Sequence, residues 1–166
     1  MNNEKSHKSI SYNEASEILA SYPSLKRKLL QLQFEIENID QLITEADILD
    51  SMAFSQMNGE RTTGGQLSDK TGSMALSYSE NLDSMRLKTK AELEAELAKT
   101  ALLLERIEYY IQILPPKSSD VLRLLFLENK TYTETAEALG VSVDTVKSKR
   151  KKGISEVAVM FSRLIR

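Results

Sequence analysis

The 166-residue chain contains no cysteine, no tryptophan, one histidine, three prolines and six glycines. Without cysteine there can be no disulfide, thiolate zinc site or cysteine nucleophile. The single histidine, His7, lies in the polar stretch MNNEKSHKSI. Histidine-based metal sites and Ser/His/Asp catalysis therefore have almost no material. The segment GERTTGGQ lacks the Lys-Ser/Thr ending of a phosphate loop and follows no strand-like run. An enzyme is not expected, and neither is a cofactor or a metal. No apolar run approaches the roughly 18 to 20 residues that a membrane span needs. The first residues also lack the apolar core of a signal peptide, so the chain is expected in the cytoplasm with no membrane partner.

Charge is plentiful and unevenly placed. From Pro115 onward there are ten Lys/Arg against six Asp/Glu, a surplus of four. Before it there are twelve against eighteen, a deficit of six, which together give the net −2. Such segregation points to a C-terminal part that meets a polyanion and an N-terminal part that does not.

Helical periodicity runs through the sequence and no strand-like alternation interrupts it, so an all-α fold is expected. After a disordered tail over 1–10, Ser11-Tyr12-Asn13-Glu14 has the form of a capping box opening a short helix to about Tyr22. Its apolar face would be Ala15, Ile18, Leu19 and Tyr22, with Pro23 ending or kinking it. Leu25, Leu29, Leu32, Ile36, Ile39, Ile43 and Ala46 then follow a heptad seam that requires a partner helix. A second long helix is expected over about 87–114. Its seam is Leu93, Leu97, Ala101, Leu104, Ile107, Ile111 and Leu114, widened by Leu102, Leu103, Tyr109, Tyr110 and Ile113. Between the two, residues 55–79 hold Gly59, Gly64, Gly65 and Gly72 and read as a flexible Gly/Ser/Thr-rich loop. The expected architecture is a long antiparallel, coiled-coil-like helical hairpin over 11–114, followed by a separate domain over 115–166.

That last domain carries the densest local signals. Pro116 suits the first turn of a helix with apolar positions Val121, Leu122, Leu124, Leu125 and Leu127. Thr131-Tyr132-Thr133-Glu134 is a second capping box, and Ala136, Ala138 and Leu139 are its packing positions. Gly140 falls where a helix ends at positive φ. Val141 is expected to plug the core between the two helices, and Ser142 to cap the next one. With Val146 taken as inward, a helical wheel gathers Gly153, Ile154 and Val157 near it. Asp144, Thr145, Ser148, Lys151 and Lys152 fall on the opposite side, with Lys147 at the border. A capped helix, a glycine turn and a basic second helix, in that order, make a helix-turn-helix whose lysines suit phosphates while its short polar groups suit base edges. Lys149, Lys151 and Lys152 are the expected phosphate contacts on this helix. Arg150 falls near the buried side, where it is expected to snorkel to a phosphate or to an acid such as Glu134 or Glu137.

The stretch Leu114 to Ile154 resembles the promoter-reading C-terminal domain of sigma-70-type factors. Leu114-Pro115, Val121-Leu122, Thr131-Tyr132, Ala136-Glu137, Leu139-Gly140 and Ser142 to Ser148 carry the likeness. It implies base contacts from Val143, Asp144, Lys147 and Ser148, to which the wheel adds Thr145, and backbone contacts from Thr131, Tyr132 and Thr133. Arg150 departs from a usually apolar position. Nothing upstream resembles the aromatic-rich sigma domain that melts promoters. The helical hairpin with its Gly-rich loop is instead similar to phage-encoded sigma-like late-gene regulators of the ArpU/RinA type. The resemblance implies a DNA-binding transcriptional regulator of phage or prophage late genes, with double-stranded DNA and RNA polymerase as partners. The heptad seams can pair within one chain or between two, and the second case would give a homo-oligomer through the hairpin. Two other classes use the same features: a small-terminase-like DNA-packaging adaptor and a helical protein-interaction module.

Overall fold

A computed structural model describes residues 9–44 and 70–163, with side chains over 80–163 in the second stretch. Among them there is no strand. Helix α1 is Tyr12–Ala20, α2 is Tyr22–Glu37, α3 is Ile39–Leu42 and α4 is Lys70–Gln112. Helix α5, Pro116–Leu122, runs into a π-helical turn over Arg123–Leu127, and α6, Tyr132–Leu139, and α7, Val143–Ser162, complete the chain. No described helix is long and apolar enough to cross a membrane.

The first capping box forms as its residue types dictate. The Glu14 amide donates to Ser11 Oγ at 3.2 Å, and the Ser11 amide donates to Glu14 Oε2 at 2.7 Å. Pro23 neither ends nor kinks α1. Ser21 ends α1, and proline enters the first turn of α2, where no amide donor is needed.

The chain divides into two compact units, Met1–Leu29 with Lys99–Arg166, and Leu30–Ala98. This differs from the expected boundary after residue 114. The reason is one apolar cluster in the first unit. It joins Ala15, Leu19 and Tyr22 to Leu104, Ile107, Tyr110 and Ile111, and to Leu122, Phe126, Ile154, Val157 and Phe161. Helix α1 and the end of α4 supply side chains without which the C-terminal helices would expose their apolar faces. Residue 10 also belongs to this unit and not to a loose tail, since the Ile10 amide donates to Ser162 Oγ at 2.8 Å. Residues 1–8 of the expected tail lie outside the described residues. Tyr22 is buried in the cluster with its hydroxyl donating to Glu108. Burial and this carboxylate together raise its pKa to about 12. Of the residues expected to widen the α4 seam, Tyr110 is buried and Leu103 half-buried, whereas Leu102, Tyr109 and Ile113 face outward.

In the second unit the heptad seam buries Leu32 and Ile39 and half-buries Ile36 and Ile43, and Leu82 of α4, outside the expected seams, is buried as well. The helix is broken at Asn38, and Ala46 lies outside the described residues. Arg86 closes the short α3. Its Nη2 donates to the carbonyls of Asp40 at 3.0 Å and Ile43 at 2.9 Å, acceptors that a helix C-terminus leaves without intrahelical partners. Helix α4 begins at Lys70 and not near Leu87, so the expected loop over 55–79 ends ten residues early, and Gly72 is helical. Extending an existing helix costs far less than nucleating one, which lets α4 run back through a glycine. The remainder of that loop, 55–69, lies outside the described residues.

Pro115 caps α5 and Pro116 occupies its first turn. Beyond it, Val121 packs in a small cluster with Ala136 and Val146, whereas Leu122 and Phe126 belong to the large one. The helix thus lies between two clusters with nearly continuous apolar residues, and its last turn widens to the π form. The Glu128 amide reaches the Arg123 carbonyl at 3.0 Å, and Asn129 adopts φ 55° to end the run. Helix α7 comes so close to α5 that a Cβ on Gly153 would stand 2.9 Å from Leu122 Cδ1.

Candidate nucleic-acid interface

The helix-turn-helix is built from three local devices. At the start of α6 the Thr131 amide and hydroxyl both meet Glu134 Oε2, at 2.7 and 2.8 Å, and the Glu134 amide donates back to Thr131 Oγ1. Hydrogen bonds from the Thr131 amide and then its hydroxyl hold the Glu134 carboxyl below its ordinary pKa of 4.5. At the end of α6, Gly140 takes φ 62°. The Gly140 amide donates to Glu137 O at 3.2 Å and the Val141 amide to Ala136 O at 3.0 Å, the paired bonds of a Schellman turn. Ser142 then caps α7 by accepting from the Thr145 amide at 3.2 Å, with its hydroxyl 2.9 Å from Thr145 Oγ1.

Val146 is fully buried against Val121 and Ala136, and Leu139, Leu125 and Val143 pack around them. This corrects the expected role of Val141, which is 40% exposed and lies outside the cluster. The turn sends residue 141 outward, and Val146, one helical turn into α7, fills the space between the helices.

Burying Val146 sets the rotation of α7. Asp144, Thr145, Lys147, Ser148, Lys151 and Lys152 are all exposed, and so are Thr131, Tyr132 and Thr133 at the start of α6. Lys147 Nζ lies 3.4 Å from Asp144 Oδ1, so two of the expected base-reading residues form an exposed pair one turn apart. Val143 is half-buried and packs on the small cluster, which turns part of its side chain away from solvent. Lys149 is half-buried too. It lines a cleft of about 240 Å³ with Lys117, Asp120, Val121, Leu139, Val141 and Thr145. Lys117 was not singled out by pattern. It stands 32 positions from Lys149 in a helix that Pro116 and the apolar residues mark in the sequence, and only packing of α5 against α7 brings the two cations to one cleft.

Arg150 does not reach Glu134 or Glu137. Its guanidinium turns to α1, with Nη1 donating to Tyr12 Oη at 3.3 Å and Nη2 to Ser16 Oγ at 3.1 Å. It also lies 5.5 Å from the centre of the Phe126 ring, within cation–π range. Among the described residues no group of three or more His, Asp or Glu side chains is placed to hold a metal ion.

No curated protein and no solved structure matches the chain. Residues 104–157, from the last turns of α4 through Val157 of α7, match the family model described as Sigma-70, region 4, and the helix-turn-helix they enclose is similar to the DNA-binding domain of that family.

Proposed function

We propose that the chain is a sequence-specific DNA-binding transcriptional regulator that acts by binding and not by catalysis. The observation that carries this reading is the exposed face of α7, held outward by the buried Val146 in a segment similar to sigma-70 region 4. In this reading the first turns of α7 enter the major groove. Asp144, Thr145, Lys147 and Ser148 reach base edges, and Val143 offers only the part of its side chain left free by the cluster. Lys151 and Lys152 hold phosphates on one side, and Thr131, Tyr132 and Thr133 meet the backbone from the start of α6. Lys149 and Lys117 add a further backbone contact at their shared cleft. RNA polymerase is the proposed protein partner, by likeness to the family, and phage or prophage late genes are the proposed setting, by likeness of the hairpin with its Gly-rich loop.

Selecting bound duplexes from a random DNA pool with the full chain tests this. Recovery of one motif, with promoter −35 character, is the expected result. Binding with no sequence preference overturns the regulator reading.

A second reading has its own support. Leu30 and Phe34 lie one turn apart on α2 and are 64% and 60% exposed, away from the seam that buries Leu32. A second copy covering them would make the chain an oligomer, as a small-terminase-like packaging adaptor requires. Light scattering separates the two, because a large closed ring favours packaging and a monomer or dimer favours regulation.

A further inference from the structure

Helix α7 is attached to the core by Val146 near its start and by Gly153, Ile154, Val157 and Phe161 beyond its middle. Between these anchors run six consecutive polar residues, Lys147 to Lys152, with no apolar side chain among them. This is the span that follows directly on the proposed base-reading turn. Four residues after Val146, Arg150 returns to about 40° from it on a helix of 100° per residue, so it is the side chain in this span aimed most nearly inward. It meets Tyr12 Oη and Ser16 Oγ on α1 and the Phe126 ring after α5. All three partners belong to the same compact unit as α7.

We infer that Arg150 is a positioning residue for base readout, and that α1 is thereby part of the DNA-reading apparatus although it contributes no DNA contact. The inference rests on the DNA-binding reading above and deepens it. Two hydroxyls in fixed positions and a ring face suit a planar guanidinium, whose donors point in set directions, far better than an ammonium or an apolar chain. They hold the rotation and tilt of α7 where no hydrophobic contact does so. Contacts to base edges depend on that orientation, because hydrogen bonds weaken steeply with misalignment. Contacts to phosphates from long lysine side chains tolerate a small rotation. Loosening the clasp should therefore erode discrimination and leave the electrostatic part of binding in place.

The test uses the full chain, a duplex recovered by it from a random pool, and a scrambled duplex of the same composition. Affinities for both are measured across a salt series, with circular-dichroism melting to confirm the fold. Arg150→Met, and separately the pair Tyr12→Phe with Ser16→Ala, should each lower the ratio of selected to scrambled affinity by about tenfold, the size of one lost base contact. The slope of log affinity against log salt should stay unchanged, and combining the two sets of changes should add little further loss. Arg150→Lys should recover only part of the ratio. A slope that falls by about 0.9 in Arg150→Met with the ratio preserved would mean that Arg150 itself holds a phosphate, and would overturn the inference. So would a ratio unchanged in the Tyr12/Ser16 pair, which leaves Arg150 intact and keeps the test valid if Arg150→Met does not fold. If the wild-type chain fails to discriminate between the two duplexes, the DNA-reading assignment itself falls, and the inference with it.

Discussion

Replacing Lys151 and Lys152 together by alanine tests the electrostatic half of the interface. Both side chains are exposed on the face of α7 opposite the buried Val146, and neither forms an ion pair among the described residues. Each is expected to displace one condensed counterion on meeting a phosphate, so the double variant should flatten the slope of log affinity against log salt by about 1.8. Between 50 and 200 mM salt the gap between wild type and variant should then close by roughly tenfold. Lys147 stands apart, because its Nζ is 3.4 Å from Asp144 Oδ1. Removing it deletes a cation and uncovers a carboxylate facing the groove, so it should weaken binding without a full further step in slope. Fluorescence anisotropy with a labelled duplex over a salt series reads all of this. A slope identical to wild type in the Lys151/Lys152 variant would refute the placement of these side chains on phosphates.

Lys117→Ala should lower the slope by about 0.9 on selected and scrambled DNA alike, whereas Lys117→Arg should leave it unchanged; sequence-dependent loss would contradict a backbone contact. Gly140→Ala meets no atom within 4 Å of its new Cβ, so its cost is conformational. The left-handed backbone costs an alanine about 1–2 kcal/mol, offset in part by a stiffer unfolded chain, for a net loss of roughly 1 kcal/mol in urea denaturation. The Tyr22 phenol, raised to about 12, contributes stability that is complete below pH 10 and lost as pH climbs through 12. Absorbance at the tyrosinate band should show one late-titrating phenol that Tyr22→Phe removes. The Glu134 carboxyl is displaced the other way, so the α6 cap contributes fully above pH 4.5 and fades as pH falls through the lower folded value. Glu134→Gln should remove that acid-limb dependence from the melting profile.

Much of the local structure was legible because its causes lie within a few residues. A hydroxyl with a carboxylate three positions on marked the starts of α1 and α6, and both boxes form. Gly140 stands at the positive φ that a glycine after a helical run suggests, and Pro116 sits in a first helical turn. The 3.6-residue period of the apolar positions was enough for an all-helical chain and for the outward face of α7. These features follow from hydrogen bonds, backbone sterics and periodicity, which do not depend on distant parts of the chain.

The rest depended on contacts that no local pattern encodes. Arg150 was legible as a misfit on its wheel, but its partners Tyr12 and Ser16 lie 138 and 134 residues away. An apolar residue directly after the glycine turn, Val141, suggests a core plug, but the geometry of the turn exposes it. Apolar spacing grouped α1 with the hairpin, yet its side chains complete the core beneath α7. Lys117 became a candidate contact only when α5 packed beside Lys149. Hydrogen bonding and periodicity act over one or two turns, so residue order alone suffices for the helix-turn-helix and for the outward face of α7. What holds α7 in place follows from packing, because burial is shared among elements far apart in the chain and packing chooses the partner of a buried side chain.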